Sequence, residues 1–155
     1  MKKVAALFTV VLLLLIWACG GSDKTEQTEE KSEALDTQEA MVQALKDLNI
    51  EIPAELQFES VRKNSIDFKA KSTDAALKQK LDEFYTGIRT NMKSKGFEES
   101  ANMINNQNLG GIIKTSYRFK RPIVGSNRSD ILDASVDYIE STGDYILHLS
   151  YYPKY

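Results

Sequence analysis

Apolar residues form three kinds of pattern along the chain: a continuous run near the start, spacings of three and four, and strict alternation. Residues 20–36 are instead polar and acidic, with Leu35 as their one large aliphatic side chain. Such a segment buries too little apolar surface to offset the entropy of ordering. The pattern predicts an export signal over residues 1–18, a flexible acidic tether over 19–36 and a single globular domain over 37–155.

Two helices are predicted in the domain. The first follows Asp36-Thr37-Gln38-Glu39, which has the form of a capping box with Asp36 as the cap and Glu39 three residues later, and it runs to about Asn49. The second runs from about Thr73 to Lys95, where Gly96 ends it and Phe97 folds back. Its apolar residues form one stripe that faces a core: Ala76, Leu77, Leu81, Phe84, Tyr85, Ile88 and Met92.

Five segments alternate between apolar and polar residues, as strands with one buried face do. Two of them, around Phe58 and Phe68, flank the turn-like Lys63-Asn64-Ser65 and predict a hairpin, although Val61 is out of phase. A polar stretch over 99–111 is predicted to be irregular. Three more strands follow, with their apolar positions on one face of an antiparallel meander. Those positions are Ile113, Thr115, Tyr117 and Phe119, then Leu132, Ala134, Val136 and Tyr138, then Tyr145, Leu147, Leu149 and Tyr151.

The register of the meander follows from turns and charges. A two-residue turn at Thr142-Gly143 predicts Tyr138 opposite Leu147. Opposite charges on neighbouring strands predict two ion pairs, Arg118 with Asp133 and Lys114 with Asp137. The elements together predict an α+β two-layer sandwich: an antiparallel sheet of about five strands with one long helix on one face, in the order α-β-β-α-β-β-β.

Composition narrows the chemistry. The chain has a net charge of -2, one cysteine and one histidine, and it lacks the Gly-rich loops and His/Cys clusters that most cofactor, metal or nucleophile sites need. His148 beside Asp137 and Ser150 is interpreted as a half-exposed sheet histidine rather than a catalytic base. Asp130 and Asp133, also near Asp137, lack a calcium-binding loop. We therefore expect no enzyme activity, no cofactor, no metal and no nucleic-acid partner.

The apolar run near the start ends at Ile16-Trp17-Ala18-Cys19-Gly20 and is shorter than a membrane-spanning helix requires. A cleaved signal is therefore favoured, with a permanent transmembrane helix as the alternative. This segment resembles the lipobox of bacterial lipoproteins. The resemblance implies cleavage before Cys19, a diacylglycerol on its sulfur and an acyl chain on its new amino group, which would hold the protein on a membrane. Gly20, in place of the Asp that retains such proteins in the inner membrane, implies the outer membrane where a bacterium has two.

Two parts of the domain have a residue composition that predicts binding to a protein of the envelope. The polar sheet face carries Ile139 and Ile146, expected to face each other, with Ile131 and Tyr152 beside them. The short helix is an alternative cover for that face. The loop from Arg121 to Arg128 exposes apolar and cationic groups together.

The leading hypothesis is thus a non-enzymatic accessory lipoprotein with an envelope protein partner. The alternative is a carrier of a small apolar or glycan ligand in a pocket of a few hundred Å³ between the long helix and the sheet. Its expected lining is Tyr85, Tyr117, Tyr138 and Tyr151.

Overall fold

The elements of the domain alternate helices and strands in the order α-β-β-α-β-β-β-β-β. The computed structural model describes residues 35–71, 75–100 and 104–155, so the predicted export signal, Cys19 and Gly20 lie outside the described residues. The elements are α1 Gln38–Asp47, β1 Gln57–Arg62, β2 Ser65–Lys71, α2 Ala75–Ser94, β3 Glu98–Glu99, β4 Ile104–Asn108, β5 Ile112–Pro122, β6 Ser129–Ile139 and β7 Asp144–Tyr152. The predicted α+β class with an antiparallel sheet is confirmed.

Helix α1 begins one residue later than the capping-box prediction. Thr37 is the N-cap, and its hydroxyl accepts a hydrogen bond from the Ala40 N–H at 3.2 Å. Thr37 has the extended backbone conformation that an N-cap adopts, so its short side chain reaches the free N–H groups of the first turn. The assignment of Asp36 as the cap was therefore wrong.

Both helices end on a residue in the left-handed conformation. In α2 this is Gly96, with φ of +79°, and the Phe97 N–H reaches back to the Met92 carbonyl at 2.9 Å. Phe97 is buried against the core, as predicted. In α1, Asn49 takes the same role with φ of +58°. These bonds satisfy carbonyls that a helix end leaves free. The predicted start of α2 at Thr73 lies outside the described residues.

The β1–β2 hairpin contains a bulge that explains the phase of Val61. Phe58 pairs with Phe68, and Val61 pairs with Ile66, so Glu59 is an extra residue between the two pairs. One extra residue changes the phase of the alternation, so the side chains that follow it point to the opposite face from the one expected without it. Val61 therefore packs against the core together with Ile66.

The sheet has seven strands in the order β1-β2-β7-β6-β5-β3, and β4 also pairs with β5. The prediction of about five strands was wrong, because the stretch expected to be irregular contains β4 and overlaps β3. Nearly all side chains of these two strands are exposed. Since backbone hydrogen bonds alone define them, no alternation of apolar residues marked them in the sequence.

The predicted pairing of β5 with β6 is confirmed, because Arg118 lies opposite Asp133. The predicted pairing of β6 with β7 was wrong by two residues. Tyr138 lies opposite Tyr145 rather than Leu147, because the connecting loop spans the four residues 140–143 instead of a two-residue turn. A shift of two residues leaves every side chain on its predicted face, since the strand period is two.

Both helices cover the same face of the sheet. Their apolar residues join the inward side chains of the strands in one cluster. The suggestion that α1 covers the polar face was therefore wrong, and in the part of the chain that the structure describes neither helix lies on that face. Among the same residues, neither helix is long and apolar enough to cross a bilayer. The fully buried side chains of the core include Met41, Leu45, Ile50, Ile66, Leu77, Ile88, Met92, Phe119, Leu132, Leu147 and Leu149.

Candidate functional site

A cavity of about 400 Å³ lies between α2 and the end of the sheet near the β6–β7 loop. Its walls come from the first turns of α2 and from side chains of β4, β5, β6 and β7. The size is within the range of small-ligand sites. Its lining consists of Lys78, Leu81, Asp82, Tyr85, Asn106, Ile113, Thr115, Val136, Tyr138 and Tyr145.

Tyr85 is the most informative residue of this cavity. Its side chain is only 6% exposed, and its buried hydroxyl has no hydrogen-bond partner among the described residues. Burial, followed by the nearby Tyr117, Asp137 and Asp82, raises the pKa of Tyr85 well above its usual range. The phenol therefore stays protonated and keeps one O–H donor. A buried donor of this kind costs free energy until an acceptor reaches it.

Other buried polar atoms without a hydrogen bond belong to carboxylates that are already paired with lysines. Asp137 Oδ1 lies 3.3 Å from Lys114 Nζ, and the second oxygen of Asp144 lies 3.2 Å from Lys69 Nζ. Tyr85 differs from both, because among the residues that the structure describes its hydroxyl has neither a hydrogen-bond partner nor a paired cation. This distinction makes the cavity, rather than the sheet face, the candidate binding site.

Aromatic rings form much of the cavity wall. Tyr138 and Tyr145 have ring centroids 4.7 Å apart on neighbouring strands, and Tyr85 contacts the ring of Tyr117 at 5.3 Å. Of the tyrosines expected to line a pocket, Tyr85 and Tyr138 do so, whereas Tyr117 and Tyr151 do not. Tyr145 was not anticipated, because the predicted register placed Leu147 opposite Tyr138.

Polar groups occur at the rim of the cavity. Asn106 has a positive φ of +48°, and both its backbone N–H and its side-chain oxygen lie 3.3 Å from the Thr115 hydroxyl. Lys78 and Asp82 stand one helical turn apart on α2 and carry opposite charges. The rim thus offers hydrogen-bonding groups without a net charge, which favours neutral ligands.

The polar face of the sheet brings His148 between two carboxylates. Its Nδ1 is 2.8 Å from Asp67 Oδ1 on β2, and its Nε2 is 3.6 Å from Asp137 Oδ2. The residue opposite His148 on β6 is Ser135, not Asp137 as predicted. Asp67 was not anticipated, because the pairing of β2 with β7 has no local signal. With both ring nitrogens near carboxylates, the ring has no described contact to the Ser150 hydroxyl, which instead donates to Ser65.

The three aspartates of β6 are each engaged by a cation from β5. This matches the cross-strand charge pattern and gives their oxygens a role in sheet pairing. In the part of the chain that the structure describes, no group of three or more His, Cys, Asp or Glu side chains is arranged to hold a metal ion. The pairs are Asp130 with Arg121, Asp133 with Arg118 and Asp137 with Lys114.

The apolar residues on the polar sheet face are paired differently from the prediction. Ile139 and Ile146 were expected to face each other, and this was wrong because of the two-residue shift in register. Two apolar pairs do exist on this face, Ile112 with Ile139 and Ile131 with Tyr152. The observed partners across β6 and β7 are Asp144 for Ile139, Asp137 for Ile146 and Tyr152 for Ile131.

The two arginines of the β5–β6 connection have different environments. Arg121 is bound within the domain: its guanidinium donates to Asp130 Oδ2 and to the Lys95 carbonyl, and it lies 4.6 Å from the Phe97 ring centroid. It therefore fixes the end of α2 to the sheet, while 37% of its side chain stays exposed. Arg128 is exposed, as predicted.

Comparisons with known proteins found no matching family model, no matching curated protein and no matching solved structure.

Proposed function

We propose that this protein is a bacterial lipoprotein whose domain binds a small, neutral, partly apolar ligand, without catalysis, in the cavity between α2 and the sheet. The observation that carries the proposal is the buried Tyr85 hydroxyl at a cavity of about 400 Å³. Water does not reach this hydroxyl in the free protein, so a ligand oxygen would accept from it once side chains of the cavity wall have moved aside, and would then remove the cost of the unsatisfied donor. Binding would then gain free energy from a group that the free protein stabilises poorly.

The lining favours a ligand with a flat or sugar-like apolar face and a carbonyl, ether or hydroxyl oxygen. Tyrosine rings offer broad apolar contact area and a polar edge, and here Tyr138 and Tyr145 supply two adjacent rings. Lys78 and Asp82 balance each other at the rim, so an anion or a cation would meet no surplus charge. Neutral glycans and small aromatic carbonyl compounds fit these conditions.

Binding is tested with a probe of this class. Prodan, a neutral two-ring fluorophore with one carbonyl, is titrated into the mature chain carrying Cys19→Ser, so that no acyl chain competes. We expect saturable binding that Tyr85→Phe weakens by about two- to tenfold, the value of one hydrogen bond. Thr115→Trp should fill the cavity and abolish binding, whereas Tyr155→Phe, outside the cavity, should have no effect.

The proposal fails if neither prodan nor a panel of neutral mono- and disaccharides binds saturably to the folded protein. It also fails if Tyr85→Phe and Thr115→Trp bind the probe as the unmodified protein does. Circular dichroism of each variant establishes that a loss of binding does not reflect unfolding.

The anchoring part of the proposal rests on Cys19, with the outer membrane as the location indicated by Gly20. Two or more acyl chains hold a protein on a bilayer durably, because each buried methylene contributes about 0.8 kcal/mol. Mass spectrometry of the protein purified from membranes should find Cys19 as the first residue with acyl chains attached. An uncleaved leader or an unmodified thiol would contradict the anchor while leaving the ligand site untouched.

Docking of an envelope protein on the polar sheet face is a second candidate function. It is supported by the apolar pair Ile131–Tyr152 on a face that α1 and α2 do not cover. Crosslinking in intact membranes should then trap a specific partner, and Ile131→Asp should abolish the product. If Ile131→Asp, Ile146→Asp and Arg128→Ala all leave the crosslinked products unchanged, this candidate fails.

A further inference from the structure

One end of the sheet receives the chain from its N-terminal part. Leu35, the first described residue, is bound to the β1–β2 turn by two hydrogen bonds with Asn64: its N–H donates to Asn64 Oδ1 at 2.9 Å, and its carbonyl accepts from the Asn64 N–H at 2.7 Å. Cys19 stands 16 positions earlier, which is a span of at most about 55 Å for an extended chain. The anchor therefore leads directly to this end.

The β5–β6 loop and residues 153–155 lie at the same end. Ser65, the first residue of β2, pairs with Ser150 near the end of β7, and beyond it the backbone groups of Ser129 and Tyr155 bond each other at 2.7 and 3.0 Å. We use the term anchor-side tip for residues 62–64, 122–128 and 152–155. The strand pairings place all three segments beside one another.

The anchor-side tip exposes apolar and cationic side chains together. Val124 is 100% exposed and Tyr155 is 74% exposed, and the Tyr155 ring packs on that of Tyr152 with centroids 5.7 Å apart. Four exposed side chains of the tip carry positive charge and none is acidic, while the exposed Asp36 follows Leu35 at the same end. The cations are Arg62, Lys63, Arg128 and Lys154.

The opposite end of the sheet has a different character. Its two turns, 109–111 and 140–143, expose Leu109 but carry only one charged residue, Glu140. The candidate ligand cavity lies at this end, since Tyr138 and Tyr145 immediately flank the 140–143 turn. The point where the tether enters and the anchor-side tip therefore lie at one end of the strands, and the cavity lies at the other end, where Lys71 and Lys78 are also found.

We propose that the anchor-side tip rests on the surface of the bilayer that holds Cys19, with the ligand cavity facing away from the membrane. Tyrosines favour the interface between lipid and water, and exposed arginines and lysines are attracted to anionic headgroups. Because the tether confines the domain near the bilayer, even a weak contact is sufficient to orient it. The inference rests on the proposed lipid anchor, and it deepens the proposed function: ligands would enter from the aqueous phase rather than from the membrane.

The orientation is measured on the acylated full-length protein. Acylation blocks Cys19, so a single new cysteine can be labelled with a bimane fluorophore. One variant carries Val124→Cys in the anchor-side tip and the control carries Ser141→Cys in the opposite turn, where the side chain is also exposed. Both are reconstituted in vesicles of phosphatidylethanolamine and phosphatidylglycerol that contain a lipid with a doxyl quencher near its headgroup.

The label at position 124 should lose fluorescence in vesicles with the quencher, and its emission should shift to the blue, whereas the label at position 141 should do neither. Equal quenching of the two labels on vesicle-bound protein, or stronger quenching at position 141, overturns the orientation alone. Protein that remains in solution instead of floating with the vesicles overturns the lipid anchor, and the orientation with it.

Discussion

Removal of the Tyr85 hydroxyl should make the protein more stable. Tyr85 is 6% exposed and its hydroxyl has no partner among the described residues. An unsatisfied buried polar group costs about 1–3 kcal/mol, while the ring keeps its contacts in Tyr85→Phe. Because burial raises the pKa of Tyr85 well above its usual range, the neutral phenol is the reference state at pH 7. We expect the free energy of unfolding to rise by about 1–2 kcal/mol.

The assay is urea unfolding of the ligand-free mature chain, followed by circular dichroism. Tyr155→Phe is the matched control, since its ring is largely exposed and its change should stay within about 0.5 kcal/mol. If Tyr85→Phe instead destabilises the protein by about 1 kcal/mol or more, the hydroxyl has a partner in solution. The reason for expecting a ligand acceptor there would then be lost. If Tyr85→Phe raises the free energy of unfolding and weakens prodan binding, the Tyr85 hydroxyl contributes to binding at a cost to stability.

Three further predictions concern stability. Arg121→Ala leaves the buried Asp130 carboxylate without its guanidinium partner and should lower the free energy of unfolding by about 2–3 kcal/mol, which is less than the cost of breaking a fully buried ion pair because Arg121 is partly exposed. A loss below about 0.5 kcal/mol, roughly the contribution of a surface ion pair, would contradict this prediction. Gly96→Ala places a Cβ on a residue in the left-handed conformation and should lower the free energy of unfolding by about 1–2 kcal/mol. Gly87→Ala within α2 has open space for the added Cβ and should raise it by about 0.5–1 kcal/mol, so equal effects of the two changes in thermal unfolding would refute the distinction. A hydrogen bond from Thr142 and the nearby Lys69 lower the pKa of Asp144 in the folded protein. The ionised carboxylate therefore stabilises the fold above the unfolded pKa of about 3.9, and this stabilisation is lost as the pH falls through the lower folded pKa. The destabilisation by Asp144→Asn should shrink below about pH 4 in urea unfolding, and a pH-independent effect would count against this prediction.

The faces of the strands could be predicted because alternation survives errors of register. Tyr138 and Leu147 point inward whether or not they are paired, so a shift of two residues changed partners without changing the core. Strands β3 and β4 could not be predicted, since their side chains are exposed and leave no periodic signal. In the sequence, the bulge at Glu59 left only one sign, which was that Val61 did not fit the alternation of apolar and polar residues.

The candidate site was predictable in part. The helical stripe placed Tyr85 inward and the alternation placed Tyr138 on the same side, so both could be expected near one pocket. Whether inward residues fill the space or leave a cavity depends on the spacing of α2 from the sheet, which no local pattern encodes. The missing partner of the Tyr85 hydroxyl likewise depends on every neighbour in three dimensions.

Both edges of the sheet are irregular, and this bears on how the protein behaves at high concentration. The outer strand β1 contains the bulge at Glu59, while the other edge is divided between the two-residue β3 and the five-residue β4, which has its own break in register between Ile104 and Gln107. A straight, unpaired edge is a template on which further copies can add as strands. Neither edge offers a long regular ladder, so many copies can share a crowded surface without joining into one continuous sheet.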